Sequence, residues 1–271
     1  MHVDSYLKKG TTHHICEDYV LTGMSPYPHL IVCDGCSSSP NTDVGARILA
    51  HSAQCVLAEC AYGSYHFDAS EFLRMSINRA CVVADSLQLD RLALDCTLML
   101  VTALEPTEIS VVIFGDGSLF YEEEENTHIV SLGFSHNAPL YPSYLLDIGR
   151  HKKYNQLSVD AHQTRRHYIN GVLKHDNSHP IVKNASLGQY FVFDPTRTKY
   201  VGITTDGAES LCSKNGNPTK LSDAMSAFTN YKLTPGPFVK RTMKRAMKDY
   251  AAQNIENTDD IGIACLMIRD K

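Results

Sequence analysis

Acidic residues stand at the ends of strand-like segments at five places in this sequence. The five sites are Glu17-Asp18, Asp34-Gly35 after HLIVC, Asp116-Gly117 after SVVIFG, Asp206-Gly207 after YVGITT, and Asp259-Asp260 before IGIACLMI. If the strands lie side by side, their ends converge, and converging carboxylates repel one another unless hard cations lie between them. The pattern therefore predicts a site for more than one metal ion, built from oxygen ligands.

The elements that must position these residues are short strands rich in β-branched residues, several of them continuously apolar and therefore predicted to be buried on both faces. The predicted strands are Leu30–Cys33, Cys96–Thr102, Ile109–Phe114, Leu119–Tyr121, Tyr190–Phe193, Tyr200–Thr205 and Ile261–Ile268. Helical patterns cover about 43–62, 70–91, 220–228 and 237–253. Because the helices are grouped instead of alternating with strands, the order predicts α+β layering.

Composition bounds the possible functions. The 271 residues, 43% of them hydrophobic, are enough for one large domain over 1–271. With 25 basic and 30 acidic residues and a net charge of −5, we expect no nucleic-acid or membrane partner. The start of the chain is polar, and no run is long enough to span a bilayer. Nine scattered cysteines, mostly in apolar runs, indicate reduced thiols in the cytoplasm.

The segment 135–188 differs from the rest of the chain. It is rich in His, Asn, Tyr and Pro and has weak periodicity. We interpret it as a long surface excursion, either a lid or a flap that contacts the substrate.

The order of the acidic sites, with Cys96-Thr97-Leu98 opening a strand and Gly115-Asp116 ending the next, resembles the type 2C metal-dependent serine/threonine protein phosphatases. The resemblance runs from about Gly10 to Ile268, with 135–188 as a gap. It implies a central β-sandwich of two antiparallel sheets flanked by a helix pair on each outer face. It also implies that a monomer removes phosphate from serine and threonine of phosphorylated proteins, with a metal-bound hydroxide as nucleophile.

The same resemblance assigns ligands to two Mn²⁺ or Mg²⁺ ions. Asp34 would bridge both ions, while Glu17 and the backbone carbonyl of Gly35 would hold one of them. Asp206 and Asp259 would hold the other ion. The chemistry agrees, since a metal pair lowers the pKa of a bridging water and clamps the phosphoryl oxygens, and carboxylate and carbonyl ligands suit Mg²⁺ or Mn²⁺ better than zinc.

Three further roles follow from the resemblance. Asp18 would orient a metal-bound water, and Asp116 together with Asp206 would hold a third ion. His13 occupies the position where the family has an arginine that grips the substrate phosphate. An imidazole could do this only when protonated, so we expect a weaker and pH-dependent grip.

Other interpretations of the acidic residues stay open. Asp116-Gly117 lies between two strand-like runs, so it could be a plain hairpin turn. Of the last acidic pair, Asp259 is the expected ligand and Asp260 is expected to face solvent or to support the ligands, although the order could be reversed.

Two other functions compete with hydrolysis. Cys33 and Cys36 form a Cys-x-x-Cys that could be redox-active, or could bind zinc with Cys16 and His14. The fold could also serve as a binding module without activity, a pseudophosphatase, because the family's phosphate-binding arginine is missing.

Overall fold

The computed structural model describes residues 1–63, 67–157, 162–180 and 188–269. Two antiparallel sheets pack face to face in it, and helices cover both outer faces. The predicted fold class is confirmed, and so are all seven predicted strands. The continuously apolar runs are buried on both faces, as expected for strands between a facing sheet and a helix layer.

The first sheet has five strands. In spatial order they are β10 (Gln189–Phe193), β5 (Glu108–Phe114), β4 (Leu98–Glu105), β3 (His29–Cys33) and β2 (Tyr19–Gly23). Every residue of β3 is buried, and the first six residues of β4 are as well. β3 and β4 are therefore the centre of this sheet, where both faces must be apolar.

The second sheet has seven strands. In spatial order they are β1 (His2–Lys8), β14 (Ile261–Met267), β11 (Thr198–Thr204), β6 (Gly117–Glu123), β7 (Asn126–Phe134), β8 (His162–Ile169) and β9 (Val172–Pro180). A separate two-stranded ribbon joins β12 (Leu211–Ser213) to β13 (Ile255–Asn257). The apolar layer between the two large sheets includes Leu30, Val101, Val201, Ile203 and Leu266, all fully buried.

Two helix pairs cover the sandwich. α1 (Thr42–Ala61) and α2 (Ala69–Ser86) pack on the five-stranded sheet, and α4 (Leu221–Phe228) and α5 (Phe238–Ala252) pack on the seven-stranded sheet. α2 ends earlier than the predicted residue 91, because Gln88 adopts a left-handed backbone conformation (φ 57°) and Asp90 caps a separate 3₁₀ turn over Arg91–Leu94. No helix in the described ranges is both long and apolar enough to cross a bilayer.

The segment 135–188 contains regular structure that the sequence patterns did not predict. It forms helix α3 (Ile148–Leu157) and then strands β8 and β9, which pair with each other and extend the seven-stranded sheet beyond β7. Residues 158–161 and 181–187 lie outside the described residues. The segment is thus partly an extension of the sheet, joined to the sandwich by backbone hydrogen bonds.

Candidate metal centre

Strand register brings the acidic sites to one end of the sandwich. In the five-stranded sheet Tyr19 pairs with Cys33, so Asp18 and Asp34 lie next to each other at the ends of β2 and β3. In the seven-stranded sheet Thr204 of β11 pairs with Ser118 of β6 and with Ile263 of β14. The residues just beyond those ends are the acidic ones, so the strand ends carry the carboxylates together as the sequence predicts.

Asp34 and Asp206 meet across the two sheets. Each of the two carboxyl groups perturbs the pKa of the other, because the side chains lie close together. Burial raises the pKa of Asp34 well above its usual range, and the charges of Asp18, Asp206 and Asp116 raise it further. The pKa of Asp206 is also raised, first by burial and then by the charge of Asp259. Five acidic groups therefore act on one another at this end of the molecule.

Asp18 is the deepest of these carboxylates, with 2% of its surface exposed. The hydroxyl of Thr205 donates a hydrogen bond to Asp18 Oδ2 at 2.8 Å, and the Gly262 amide donates to the same hydroxyl at 3.0 Å. Burial raises the pKa of Asp18 despite the Thr205 bond, and the charges of neighbouring acids add to that effect. Thr205 therefore fixes the orientation of Asp18 from the end of β11.

Asp116 lies in a connection between the sheets, so the hairpin interpretation is wrong. β5 belongs to the five-stranded sheet and β6 to the seven-stranded sheet, and the two strands do not pair. The flanking glycines have φ angles of +96° at Gly115 and +126° at Gly117, and a side chain at Gly117 would lie 2.8 Å from the Thr204 carbonyl oxygen. This tight crossing aims Asp116 inward, where burial and the charge of Asp206 raise its pKa to about 7.

Glu17 and Gly35 lie beside Thr42, the first residue of α1. Thr42 Oγ1 is 3.5 Å from Glu17 Oε1, and burial raises the pKa of Glu17. A Cβ atom at Gly35 would lie 2.8 Å from the side chain of Thr42 and 2.9 Å from the Glu17 carbonyl oxygen. Only glycine fits there, and the absence of a side chain lets the loop after Asp34 pass close to Glu17.

The two aspartates before β14 have different environments. Asp260 is 2% exposed and accepts hydrogen bonds from the amides of Gly10 and Glu17, both at 2.6 Å. Asp260 therefore does not face solvent, and its carboxylate fixes the backbone beside the centre. The side chain of Asp259 is 44% exposed, and its charge raises the pKa of Asp18, Asp116 and Asp206.

His13 contacts three carboxylates. Its Nδ1 lies 3.2 Å from Asp260 Oδ2 and 3.5 Å from Glu17 Oε2, while its Nε2 lies 3.3 Å from Asp259 Oδ1. The potential ligand cluster of His13, Glu17 and Asp260 is the one found among the described residues. A protonated imidazole there would partly balance the acidic charge.

The cysteines do not form a competing site. Cys33 is buried, and burial raises its pKa, while burial and nearby acids raise the pKa of Cys16 to about 12. No cysteine belongs to the ligand cluster found in the described part of the chain, and all nine cysteines are free. The zinc interpretation with Cys16, Cys33, Cys36 and His14 therefore finds no support in the geometry.

Two polar networks near the centre were missed by the sequence analysis. In the first, the carboxylate of the buried Asp95 accepts hydrogen bonds from Arg150 Nη1 at 3.0 Å and from Arg150 Nη2 at 2.7 Å. Ser39 donates to the same carboxylate at 2.9 Å and Ser143 at 2.6 Å, and the Cys36 amide donates to the Asp95 carbonyl at 2.8 Å. Asp95 thus connects the loop after Asp34 to the segment that carries α3.

In the second network, Glu209 lies in the 3₁₀ turn that begins at Asp206, and its charge raises the pKa of Asp116 and Asp206. Ser131 Oγ donates to Glu209 Oε1 at 2.7 Å, and Arg166 Nη2 lies 2.9 Å from Glu209 Oε2. Arg166 therefore ties strand β8 to the acidic centre. In the sequence, this network was indicated only by the position of Glu209, one turn after Asp206.

Comparisons with known proteins agree with this geometry. The model of the protein phosphatase 2C family matches residues 9–258. No curated protein matches the sequence. Among solved structures, the serine/threonine phosphatase Stp1 of Staphylococcus aureus is similar, with a TM-score of 0.57 and 11% identity over 99% of this chain and 95% of that one.

Two other bacterial structures are similar to the same extent. PppA, a regulatory component of the T6SS in Pseudomonas aeruginosa, has a TM-score of 0.56 and 13% identity, covering 97% of this chain and 96% of its own. The serine/threonine phosphatase PstP/Ppp of Mycobacterium tuberculosis has a TM-score of 0.54 and 11% identity, covering 97% of each chain. At such identities the structural likeness concerns the fold alone.

Proposed function

The chain belongs to the protein phosphatase 2C family of serine/threonine phosphatases, and from that premise we propose that its acidic centre holds two Mn²⁺ or Mg²⁺ ions and hydrolyses phosphoserine and phosphothreonine in proteins. The observation that carries the proposal is the meeting of Asp18, Asp34, Asp116 and Asp206 at one end of the sandwich, each with a pKa raised by burial and by the charges of the others.

The donor set fits hard divalent cations. Carboxylate oxygens and backbone carbonyls are the ligands that Mg²⁺ and Mn²⁺ prefer, whereas zinc favours cysteine and histidine. Cations between the carboxylates would replace the protons that the raised pKa values imply, and would cancel their repulsion.

The proposed ligand assignment is the one that membership of the family implies. Asp34 interacts with carboxylates of both sheets, which suits a ligand that bridges two ions. Glu17 and the carbonyl of Gly35 would hold one ion, and Asp206 and Asp259 would hold the other. In this scheme the buried Asp116 adds a third ion site with Asp206.

The chain's own residues would position the substrate and a proton acceptor. When bound, the ions would lower the pKa of a bridging water and clamp the phosphoryl oxygens. Asp18, held by the Thr205 hydroxyl, would accept a hydrogen bond from that water and fix its direction. His13, beside the exposed Asp259, would donate to a phosphate oxygen when it is protonated.

The proposed substrate is a phosphorylated protein and the proposed location is the cytoplasm. All nine cysteines are free, and unpaired thiols are typical of a reducing compartment.

The test is phosphate release by the full chain from a phosphothreonine peptide, measured with added Mn²⁺ and with EDTA. We expect release to need the metal, and Asp206→Asn to reduce it by about a hundredfold or more, beyond the usual effect of a residue that only supports a ligand. Asp249→Asn, an exposed acid on α5, is the matched control and should keep full activity. Release that persists in EDTA, or that is unchanged in Asp206→Asn, would overturn the proposal.

A further inference from the structure

The turn that carries Asp206 is attached to the rest of the molecule on two sides. It is a 3₁₀ turn over Asp206–Glu209, directly after β11. On the first side, Ser210 Oγ donates a hydrogen bond to the Gly207 carbonyl at 2.7 Å and accepts one from the Asp259 amide at 3.2 Å. This side therefore joins the turn to the backbone of Asp259, which is proposed to bind the same ion as Asp206.

On the second side, Glu209 attaches the turn to strands β7 and β8. Ser131 Oγ donates to Glu209 Oε1 at 2.7 Å, and Arg166 Nη2 donates to Oε2 at 2.9 Å and to Oε1 at 3.2 Å. The same nitrogen lies 3.3 Å from Ser131 Oγ. Ser131 and Arg166 are directly opposite each other on neighbouring strands, so their side chains share one face of the sheet. Arg166 therefore contacts both carboxylate oxygens and the hydroxyl beside them.

The geometry of the turn places Glu209 beside Asp206. Residues three apart in a 3₁₀ turn lie one above the other, so both side chains are on the same side of it. The charge of Glu209 raises the pKa of Asp206 and of Asp116, which agrees with this placement. Glu209 is thus an acid at the edge of the centre, and Arg166 balances its charge.

We propose that Arg166 is a positioning residue for the metal centre: by holding Glu209, it fixes the turn that carries Asp206, so that the hairpin β8–β9 contributes to cation binding. Arg166 acts only through Glu209 and contacts neither the ion nor the substrate. Residues that orient a metal ligand in this way are worth about tenfold to a hundredfold in affinity. The inference rests on the proposed function, because it requires a metal ion at Asp206.

The charge of Arg166 has the opposite effect on cation binding. A guanidinium near a site for cations repels them, so its loss through charge alone would tighten Mn²⁺ binding. Solvent screens this repulsion, since the side chains of Arg166 and Glu209 are 34% and 31% exposed. Loss of the contact should therefore act mainly by freeing the turn, and the sign of the change in affinity separates the two effects.

The experiment is a Mn²⁺ titration of the full chain, in which electron paramagnetic resonance measures the free ion. We expect Arg166→Gln to weaken binding by about tenfold or more, and Arg166→Lys, which keeps the charge and a donor, to recover part of that loss. In a Glu209→Ala background, Arg166→Gln should change nothing further, because Arg166 then has no carboxylate to hold.

Two further variants control the titration. Ser131→Ala removes only the shared hydroxyl, and should weaken Mn²⁺ binding in the same direction but less than Arg166→Gln. Arg197→Gln breaks an exposed arginine–glutamate pair, Arg197 with Glu124, next to the opposite end of β11, and should leave the affinity unchanged. Circular dichroism checks that each variant is folded.

Phosphate release gives a second readout. The Mn²⁺ concentration for half-maximal release should rise about tenfold in Arg166→Gln, while kcat at saturating Mn²⁺ stays close to that of the parent. A role in fold stability alone would leave both values of the folded protein unchanged. If the parent binds no Mn²⁺, the proposed function falls together with this inference. If the parent binds Mn²⁺, unchanged or tighter binding in Arg166→Gln, or the same loss in the Glu209→Ala background, overturns this inference alone.

Discussion

Replacing Asp116 by asparagine should stabilise the metal-free protein at alkaline pH. Asp116 is 8% exposed, and burial together with the charge of Asp206 raises its pKa from 3.8 to about 7. A difference of about three pKa units corresponds to about 4 kcal/mol at most, since each unit is worth 1.36 kcal/mol. Asparagine keeps the shape of the side chain and cannot ionise, so this unfavourable term disappears in the variant.

The effect of Asp116 on the stability of the folded protein depends on pH, because its pKa is 3.8 in the unfolded chain and about 7 in the folded protein. Well below pH 3.8, Asp116 is protonated in both the folded and the unfolded state, so the variant gains nothing. Between about pH 4 and pH 7 the unfolded chain releases the proton while the folded protein keeps it, and stability falls as pH rises. Above pH 7 the loss is complete, and Asp116→Asn should gain about 2–4 kcal/mol.

The assay is urea denaturation in EDTA at pH 4.5 and at pH 8, followed by circular dichroism because the chain has 0 tryptophans. The control is Asp249→Asn, whose side chain is exposed and should give no gain at either pH. Added Mn²⁺ at pH 8 should stabilise the parent more than the variant. An equal gain at both pH values, or none at pH 8, would refute the electrostatic reasoning.

Four further outcomes are expected. Asp34→Ala should abolish Mn²⁺-dependent phosphate release while the circular dichroism spectrum stays native, because repulsion at the centre is relieved. Changing Cys33 and Cys36 to serine should keep turnover within about tenfold, a barrier change of about 1.4 kcal/mol; complete loss with retained Mn²⁺ binding would indicate a catalytic thiol. Arg150→Ala should destabilise the fold by about 3 kcal/mol in urea, because it leaves Asp95 buried without its cation, and adding Asp95→Ser should recover part of that loss. His13→Arg should lower KM for p-nitrophenyl phosphate more than it changes kcat; unchanged KM would place His13 away from the phosphate.

The central fold could be predicted because its signals are local. Strands such as β3 and β4 are continuous apolar runs, and the helix pairs have a clear apolar face. Each acidic site also follows or precedes such a run directly. The residue patterns therefore predict the strands, the α+β layering and the meeting of the carboxylates, while the two-sheet sandwich was predicted from the family resemblance.

The hairpin β8–β9 was missed although a specific signal was present. Asn170 and Gly171 have φ angles of 48° and 79°, as in a type I′ turn, and Asn-Gly is the usual pair for such a turn. The strands themselves, HQTRRHYI and VLKHDNSHP, are mostly polar, and residues 172–177 of β9 are exposed. Hydrophobic periodicity cannot detect strands of this kind, and turn chemistry was the remaining evidence.

The different environments of Asp259 and Asp260 could not be predicted from the sequence, because they depend on contacts from distant residues. Asp260 is buried by the amides of Gly10 and Glu17, which lie more than two hundred positions earlier in the chain. The same holds for Asp95, whose partner Arg150 comes from α3. Adjacent acids in a sequence carry no information about which of them will meet such partners.

These contacts give the N-terminal segment a specific part in the acidic centre. Asp260 holds the amides of Gly10 and Glu17 on either side of His13, and so fixes the imidazole against Glu17 and Asp259. An arginine at position 13 would stay charged at any pH, but His13 balances the carboxylates only when it is protonated.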